Sequence, residues 1–326
     1  MKRWSVQILF ILVCLLAFPS ISPAPLVFRP GEGWTYERAG SEGKWTRTRA
    51  KDQLEVAQQA FDDGKYDMAF KAARRVVKVW PLSDYAPEAQ YLLGRTYEAK
   101  RQDEKAFKAY QEVLEKYPKA TNYEEVLERQ HEIAVRFLDG QWFKLWGYIP
   151  FFPSMDKTAD MMTKVVKNGP YSEVAPQAQM DIGAAREKQN EFGQAVKAYE
   201  IAADRYSDRK EVSADALFKA GMAYHKQART AEYDQNAAAQ AIAAFTDFVT
   251  LNPDDHRVAD AQTLIEGMRY EQARGSYEIA KFYEKRKKFD GALIYYNEVL
   301  VKDPNSSMAI LARLRIDDLK RRLEEQ

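Results

Sequence analysis

The feature that most constrains the fold of this chain is a set of small residues and a proline that recurs at a fixed interval. Four positions recur 37 residues further on: Ala57 corresponds to Gly94, Ala69 to Ala106, Ala73 to Tyr110 and Pro81 to Pro118. A small side chain on one helix allows a second helix to approach closely, and a proline ends a helix because it lacks the amide hydrogen. The pattern therefore predicts a series of closely packed helix pairs.

The pattern continues toward the C-terminus with lower fidelity. Small residues mark the first helices of the third to sixth pairs, at Ala134, Gly183, Gly221 and Ala280. A last helix, residues 306–325, is expected to be charged on its outer side and to cap the array. Helix pairs with this spacing are of the tetratricopeptide (TPR) type. The sequence thus predicts an all-α, TPR-type α-solenoid over residues 49–326, a right-handed superhelix of about six helix pairs plus a C-terminal capping helix.

The N-terminal residues have the pattern of an exported protein. Lys2 and Arg3 precede an apolar run from Val6 to Phe18. This run is shorter than the roughly 20 residues that a membrane-spanning helix needs, and a basic start followed by a short apolar segment is typical of an export signal. Residues 1–24 are therefore predicted to be an export signal, or an N-terminal anchor if the signal is not cleaved.

The single cysteine, Cys14, lies inside this apolar run. A lipoprotein signal needs a small residue shortly before its cysteine, whereas Leu12 and Val13 precede Cys14. Cys14 is therefore interpreted as part of the signal, and the cleaved chain would contain no disulfide.

The segment after the signal, residues 25–48, is rich in glycine, proline, aromatic and charged residues and shows neither helical nor strand periodicity. Such a composition is typical of a linker or of an irregular arm that lies on the first repeat. The predicted organisation is therefore a signal or anchor at 1–24, an irregular arm or linker at 25–48, and the solenoid at 49–326.

The sequence offers little material for catalysis or metal binding. Glu128 and His131 form a Glu-x-x-His pair, but no second pair is present at His225 or His256, so the pair is interpreted as part of a solvated helix face. No nucleophile elbow, zinc-binding histidine pair or dinucleotide loop is found. With 49 basic and 48 acidic side chains, the chain also has no net field that would favour nucleic acid. We therefore expect a protein that is not an enzyme, with no catalytic residue, metal or cofactor.

An aromatic insertion at residues 140–155 interrupts the third repeat. Its candidate docking side chains are Trp142, Phe143, Trp146, Phe151 and Phe152. In one interpretation these side chains fold back and cover the end of the third helix pair. In the other they form an exposed loop that anchors a partner protein or lies at a membrane surface. The sequence leaves both interpretations open.

A partner-binding groove can be projected from the repeat geometry. On first helices, the positions six and three before the small residue, and one and four after it, are expected to face the concave side. In the first two repeats these residues are Lys51, Leu54, Gln58, Phe61, Glu88, Tyr91, Arg95 and Glu98. A mixed apolar and charged wall suits an extended peptide, although a similar mixture occurs on any solvated helix.

Two segments resemble a known family. Residues 81–97, PLSDYAPEAQYLLGRTY, contain a proline, a Ser-x-Tyr-Ala link and an Ala-Gln pair that opens the next helix. A long helix is expected from Val258 to about Lys287, and the segment 259–304 carries Ile279, Ala280, Lys281 and Tyr283 near the end of that helix. Both resemble the BamD/ComL/YfiO family, which comprises periplasmic TPR lipoproteins of the outer-membrane β-barrel assembly machine. The resemblance covers roughly residues 50–320.

This resemblance implies protein partners in the periplasm, at the inner face of the outer membrane. The N-terminal repeats would receive unfolded outer-membrane proteins, and the C-terminal repeats would dock to the β-barrel assembly core subunit. Peripheral contact with the membrane is compatible with this role. The chain departs from the family pattern in two ways. The lipid-bearing cysteine of the family is missing after the signal, and the chain has six repeats whereas the family typically has five. They leave open an alternative, a periplasmic TPR adaptor for cell-envelope or division machinery associated with the Tol system.

Overall fold

The computed structural model describes residues 26–36, 45–145, 149–230 and 235–324. These residues form thirteen helices and four short strands. The helices are α1 (Ala50–Asp62), α2 (Tyr66–Val79), α3 (Ala86–Ala99), α4 (Asp103–Lys116), α5 (Tyr123–Leu138), α6 (Met155–Asn168), α7 (Ala175–Lys188), α8 (Phe192–Arg205), α9 (Lys210–Thr230), α10 (Gln235–Leu251), α11 (Val258–Lys285), α12 (Phe289–Lys302) and α13 (Ser307–Glu324). The strands are β1 (Leu26–Arg29), β2 (Gly33–Tyr36), β3 (Phe143–Leu145) and β4 (Ile149–Phe152).

The chain divides into two compact units, a first unit that ends at Val126 and a second unit that begins at Leu127. The first unit contains the helix pairs α1/α2 and α3/α4 and the start of α5. The second unit contains the rest of α5, the helices α6 to α12 and the terminal helix α13. In both units each helix packs mainly against its neighbours in sequence. The predicted all-α, TPR-type solenoid is confirmed.

The small residues of the repeat lie where an aromatic ring of the second helix crosses the first. A Cβ atom added to Gly94 would lie 2.2 Å from the ring of Tyr110, and one added to Gly183 would lie 2.3 Å from the ring of Tyr199. Carbon atoms in contact are normally about 3.5–4.0 Å apart. The glycine and the tyrosine are therefore one packing device, which explains why both recur together.

The connections between repeats also use a recurring device. The segments PLSDYAPEAQ, which leads into α3, and PYSEVAPQAQ, which leads into α7, each end in a buried glutamine inside the helix. The Nε2 atom of Gln90 donates to the Ala109 carbonyl at 3.0 Å, and that of Gln179 donates to the Ala198 carbonyl at 3.0 Å. Each glutamine therefore ties the start of a first helix to the middle of the second helix of the same pair.

Buried tyrosine hydroxyls donate to glutamates twelve residues earlier in the chain. Tyr110 bonds to Glu98 at 2.6 Å, and Tyr296 bonds to Glu284 at 2.7 Å. Burial and the bond to Glu284 raise the pKa of Tyr296 above its usual range. Glu284 also accepts hydrogen bonds from Arg315 of α13, so this pair joins the last helix pair to the terminal helix.

The predicted irregular arm at residues 25–48 is wrong for the part that the structure describes. Strands β1 and β2 form an antiparallel hairpin in which Leu26 is opposite Tyr36. Gly31 and Gly33 adopt φ values of 79° and 73°, which glycine tolerates because it has no Cβ atom. Glu32 is buried, and its carboxylate accepts a hydrogen bond from the Lys51 amide at the start of α1 at 3.4 Å. Strands of four residues are too short to show a clear alternation in sequence, so the hairpin was not foreseen.

The terminal helix α13 differs from the expected charged cap. Its outer side exposes three apolar side chains, Ile310, Leu311 and Leu314, among its charged residues. The opposite side is buried through Ala312, Ile316 and Leu319, as an amphipathic helix requires. Apolar side chains therefore lie on both sides of α13.

Arg257, at the start of α11, joins three elements of the second unit. Its guanidinium donates to Asp215 of α9 at 2.8 Å and to Asp255 at 2.9 Å. It also lies over the rings of Phe218 and Phe248, at 4.9 and 5.3 Å from their centroids. Hydrogen bonds from Arg257 lower the pKa of Asp255 to about 2.

Replacing Arg257 by alanine should lower the free energy of unfolding by about 2 kcal/mol at pH 7, because charge-assisted hydrogen bonds and two cation–π contacts are lost. The pKa of Asp255 is lower in the folded state than the unfolded value of about 4. The ionised carboxylate therefore stabilises the folded state fully above about pH 4, and this stabilisation is lost as the pH falls toward 2. The difference in the free energy of unfolding between wild type and variant should therefore become smaller by up to about 1 kcal/mol between pH 5 and pH 2.

Urea unfolding at a series of pH values measures this gap. Arg274→Ala, at an exposed arginine of the same helix, is the control and should change stability by less than about 0.5 kcal/mol. A gap for the Arg257 variant that stays constant down to pH 2 would show that Asp255 does not depend on Arg257.

Candidate functional site

The eight projected groove residues do not form one continuous exposed wall. Lys51 and Glu88 are exposed. Leu54 is only 7% exposed and belongs to the hydrophobic core of the first unit, so its assignment to the groove is wrong. It faces inward because α1 packs against α2 and α3 on that side. Glu98 is held by Tyr110, as described above, and Gln58 bonds to the carboxylate one turn later in its own helix.

Four side chains from three successive first helices do form a connected row. The guanidinium of Arg95 lies 5.2 Å from the ring centroid of Phe61 and 5.9 Å from that of Tyr91. The Tyr91 hydroxyl in turn donates to the carboxylate of Glu125 on α5. Burial and the bond to Glu125 raise the pKa of Tyr91. We call Phe61, Arg95, Tyr91 and Glu125 the first-helix row.

Glu125 was missed by the sequence analysis. Extending the interval of 37 residues from Glu88 leads directly to Glu125, so continuing the projection into the third repeat would have found it.

A cleft of about 960 Å³ lies at the end of this row, between the loops that follow α2 and α4. Its apolar wall and its charged rim come from both loops and from the helices next to them. The apolar residues are Pro81, Leu82, Pro87, Tyr117 and Pro118, and the charged ones are Asp84, Glu88, Lys116, Lys119 and Glu125. Leu82 is 95% exposed, so nearly its whole side chain is open to contact with a ligand. The predicted groove residues Glu88 and Tyr91 line this cleft, although Tyr91 is only 8% exposed; we call it the loop cleft.

The loop cleft is suited to binding a peptide. Prolines, Leu82 and Tyr117 offer an apolar surface to side chains, while carboxylates and two lysines on the rim can orient a backbone or charged groups. Within the described ranges, no group of three or more His, Cys, Asp or Glu residues is arranged to hold a metal ion.

His131 does not lie on a solvated face as expected. Its side chain is 14% exposed, and its Nε2 atom lies 2.8 Å from a carboxylate oxygen of Asp181 on α7. Gln177 donates to the other oxygen of Asp181 at 2.9 Å. The histidine therefore has a structural role, in joining two first helices of the second unit.

The aromatic insertion is part covered and part exposed. Strands β3 and β4 pair as a hairpin, and Phe143 is 4% exposed and stacked on Phe137 with ring centroids 4.1 Å apart. Phe143 is therefore wrong as a docking residue, because its ring fills the core beside α5. Trp142 is 52% exposed and Phe152 is 37% exposed. Phe151 lies in β4, and Trp146 falls outside the described residues.

A second set of exposed apolar side chains was not foreseen. Several large apolar side chains on the last three helices are exposed: Ile279 and Phe282 of α11, Ile294 and Val301 of α12, and Ile310, Leu311 and Leu314 of α13. On α12 the two exposed residues are two helical turns apart and alternate with the buried Ala292, Tyr296 and Val299. That spacing is visible in the sequence. The sequence does not show, however, which of the two apolar faces of the helix packs against other helices. We call these exposed side chains the C-terminal apolar surface.

The predicted export signal at residues 1–24 lies outside the described residues. In the part of the chain that the structure covers, no helix combines the length and apolar character that crossing a membrane requires.

Comparison with known proteins identifies two families. A model described as outer membrane lipoprotein, YfiO, matches residues 154–324, and a tetratricopeptide-repeat model matches residues 88–120. Both describe protein-interaction modules rather than enzymes. A search of curated protein sequences returned no match.

Several solved structures are similar to the chain at low identity. The C-terminal part of a TPR repeat-containing protein from Cytophaga hutchinsonii is 15% identical, with 81% of this chain and 87% of that chain covered and a TM-score of 0.38. A TPR protein from Parabacteroides merdae is 11% identical, with 83% and 98% covered and a TM-score of 0.35. YrrB, described as a TPR protein with an unusual peptide-binding site, is 12% identical, with 66% and 92% covered and a TM-score of 0.35.

The two family matches agree with the helical repeats described above. The outer membrane lipoprotein model covers just over half of the chain, including most of the second unit and the whole C-terminal apolar surface. The resemblance to the BamD/ComL/YfiO family is thereby confirmed. This chain belongs to the YfiO family of outer membrane lipoproteins.

Proposed function

We propose that this chain is a periplasmic protein-binding scaffold of the outer-membrane β-barrel assembly machinery. The observation that carries the proposal is the C-terminal apolar surface, which lies within the part of the chain that matches the outer membrane lipoprotein family. Exposed large apolar side chains on adjacent helices favour a protein partner, because burying apolar surface stabilises a complex by about 25 cal/mol per Å². The partner is the barrel-forming core subunit of the machinery.

The first unit has a different role in this proposal. Its loop cleft and first-helix row receive extended segments of unfolded outer-membrane proteins, whose alternating apolar side chains fit a wall of prolines, Leu82 and Tyr117. The exposed aromatic side chains Trp142 and Phe152 add a smaller contact to a partner or to a membrane surface. The chain thereby acts at the inner face of the outer membrane.

Affinity capture from detergent-solubilised envelopes tests the proposal with the full chain as bait. The Leu314→Asp variant should recover at least about tenfold less core subunit than the wild type, because an unpaired carboxylate would be buried in the interface. Leu251→Asp is the matched control: Leu251 is 69% exposed and Leu314 is 62% exposed, but Leu251 lies on α10, outside the C-terminal apolar surface. The control should recover as much core subunit as the wild type.

Two outcomes would contradict the proposal. Equal loss of the core subunit with both aspartate variants would mean that the C-terminal apolar surface is not the contact. Recovery of cell-wall synthases or Tol components by the wild type, with no barrel component, would instead support the adaptor for envelope constriction.

A further inference from the structure

A groove on the second-helix side of the first unit shares no residue with the loop cleft. Its volume is about 620 Å³, and its floor is apolar, formed by Phe70, Val77, Leu93 and Tyr97. The rings of Phe70 and Tyr97 meet edge to face with centroids 5.2 Å apart. The floor is therefore set by packing within the unit and needs little rearrangement to accept a ligand.

The rim of this groove is strongly basic. Arg74, Lys78, Lys105 and Lys108 surround the floor, against a single carboxylate, Glu112. Glu112 is already paired with Lys116 at 2.8 Å. The local field is therefore positive, although the whole chain carries a net charge of only +1.

Three of the four cations on the rim are available to a ligand. Lys78 and Lys108 are exposed and form no ion pair with any residue that the structure describes. Arg74 is also exposed, and its guanidinium lies 6.0 Å from the ring centroid of Phe70. An anionic ligand could therefore approach these three charges without first breaking an ion pair.

The combination of an apolar floor and a cationic rim selects the class of ligand. Carboxylates would meet the rim, and apolar side chains would cover the exposed parts of Phe70, Val77 and Tyr97. A nucleic acid duplex would use the charges, but its bases are stacked inside the double helix and would leave the apolar floor uncovered. A flat membrane surface fits a concave floor less well than a narrow helix or strand does.

We propose that this basic groove binds an acidic, amphipathic segment of another protein, with its apolar side chains on the floor and its carboxylates against Arg74, Lys78 and Lys108. The site is separate from the loop cleft and from the C-terminal apolar surface. It would therefore give the scaffold a further partner, independent of the proposed function.

Fluorescence anisotropy with the full chain and a labelled synthetic helix, leucine on one face and glutamate on the other, tests this proposal. The triple variant Arg74→Glu, Lys78→Glu and Lys108→Glu should bind the peptide at least about tenfold more weakly, because three attractions become repulsions. A milder variant with glutamine at the same three positions should show a smaller loss. Binding to the wild type should weaken as salt is raised.

The control variant has the same net charge as the glutamate variant. Lys164→Glu, Lys197→Glu and Lys320→Glu change three exposed lysines of the second unit that do not line the groove, and this variant should bind within about twofold of the wild type. Circular dichroism should show equal helicity for all variants.

Three results would overturn the proposal. The first is unchanged binding by both triple variants of the rim. The second is equal affinity for a control peptide that carries lysine in place of glutamate. The third is binding to vesicles of anionic phospholipid, lost in the rim variants, with no binding of the acidic peptide; this would assign the groove to a membrane surface.

Discussion

Replacing Gly183 by leucine should lower the free energy of unfolding by about 3 kcal/mol, as a urea titration of the full chain would measure. Even the Cβ atom of the new side chain would lie 2.3 Å from the ring of Tyr199, which is 1% exposed and cannot move away. The helices α7 and α8 would have to separate, and the core around Tyr199 would open. This cost greatly exceeds the gain in helix propensity from replacing glycine, which is at most about 1 kcal/mol.

Gly267 provides the matched control for this substitution. It lies in α11, and a Cβ atom there would meet nothing within 4 Å. Gly267→Leu should therefore be neutral or stabilising by up to about 1 kcal/mol. In the background of Tyr199→Ala, the change at Gly183 should cost much less, because the clashing ring is gone. Equal losses in the presence and absence of Tyr199 would show that the close contact is not the reason for the glycine.

Replacing Phe143 by alanine should cost about 3 kcal/mol of stability, whereas replacing its neighbour Trp142 should cost less than about 0.5 kcal/mol. Phe143 is 4% exposed and stacked on Phe137, so its removal leaves a cavity in the second unit. Trp142 is 52% exposed, and its removal mainly exposes a smaller side chain to water. Thermal unfolding monitored by circular dichroism would separate the two.

The same pair of variants also distinguishes the two interpretations of the aromatic insertion. If Trp142 contacts a partner, Trp142→Ala should weaken capture of that partner while the melting temperature stays within a few degrees of the wild type. A large loss of stability for Trp142→Ala would instead mean that the whole insertion is part of the core.

Some features could be predicted from the sequence because they depend on local spacing. The recurrence of small residues, such as Ala57 and Gly94 at an interval of 37 residues, predicted helix pairs, because a small side chain lets a second helix approach closely. The bounds of the long helix α11 were also close to the expected ones, because the apolar period continues through it without a proline. The family resemblance depended on the same local segments.

The candidate site was predicted less completely. Phe61, Arg95 and Tyr91 do lie in one row, but Leu54 faces the core, and Glu98 is held by Tyr110. A helix position alone does not say whether its side chain meets water, a neighbouring helix or a partner. That choice depends on how far the next helix is inclined, which is a property of the whole packing.

The sequence by itself determined the repeat, its helix pairs and the family, because each follows from residues close together in the chain. Only the tertiary structure decided which of two apolar faces of α12 is covered, and that Lys78 of α2 and Lys108 of α4 lie at the rim of one groove. These outcomes depend on residues from different helices, and the free energy of burying a side chain depends on what lies opposite it. A periodic sequence specifies the faces of each helix, and the packing of several helices selects among them.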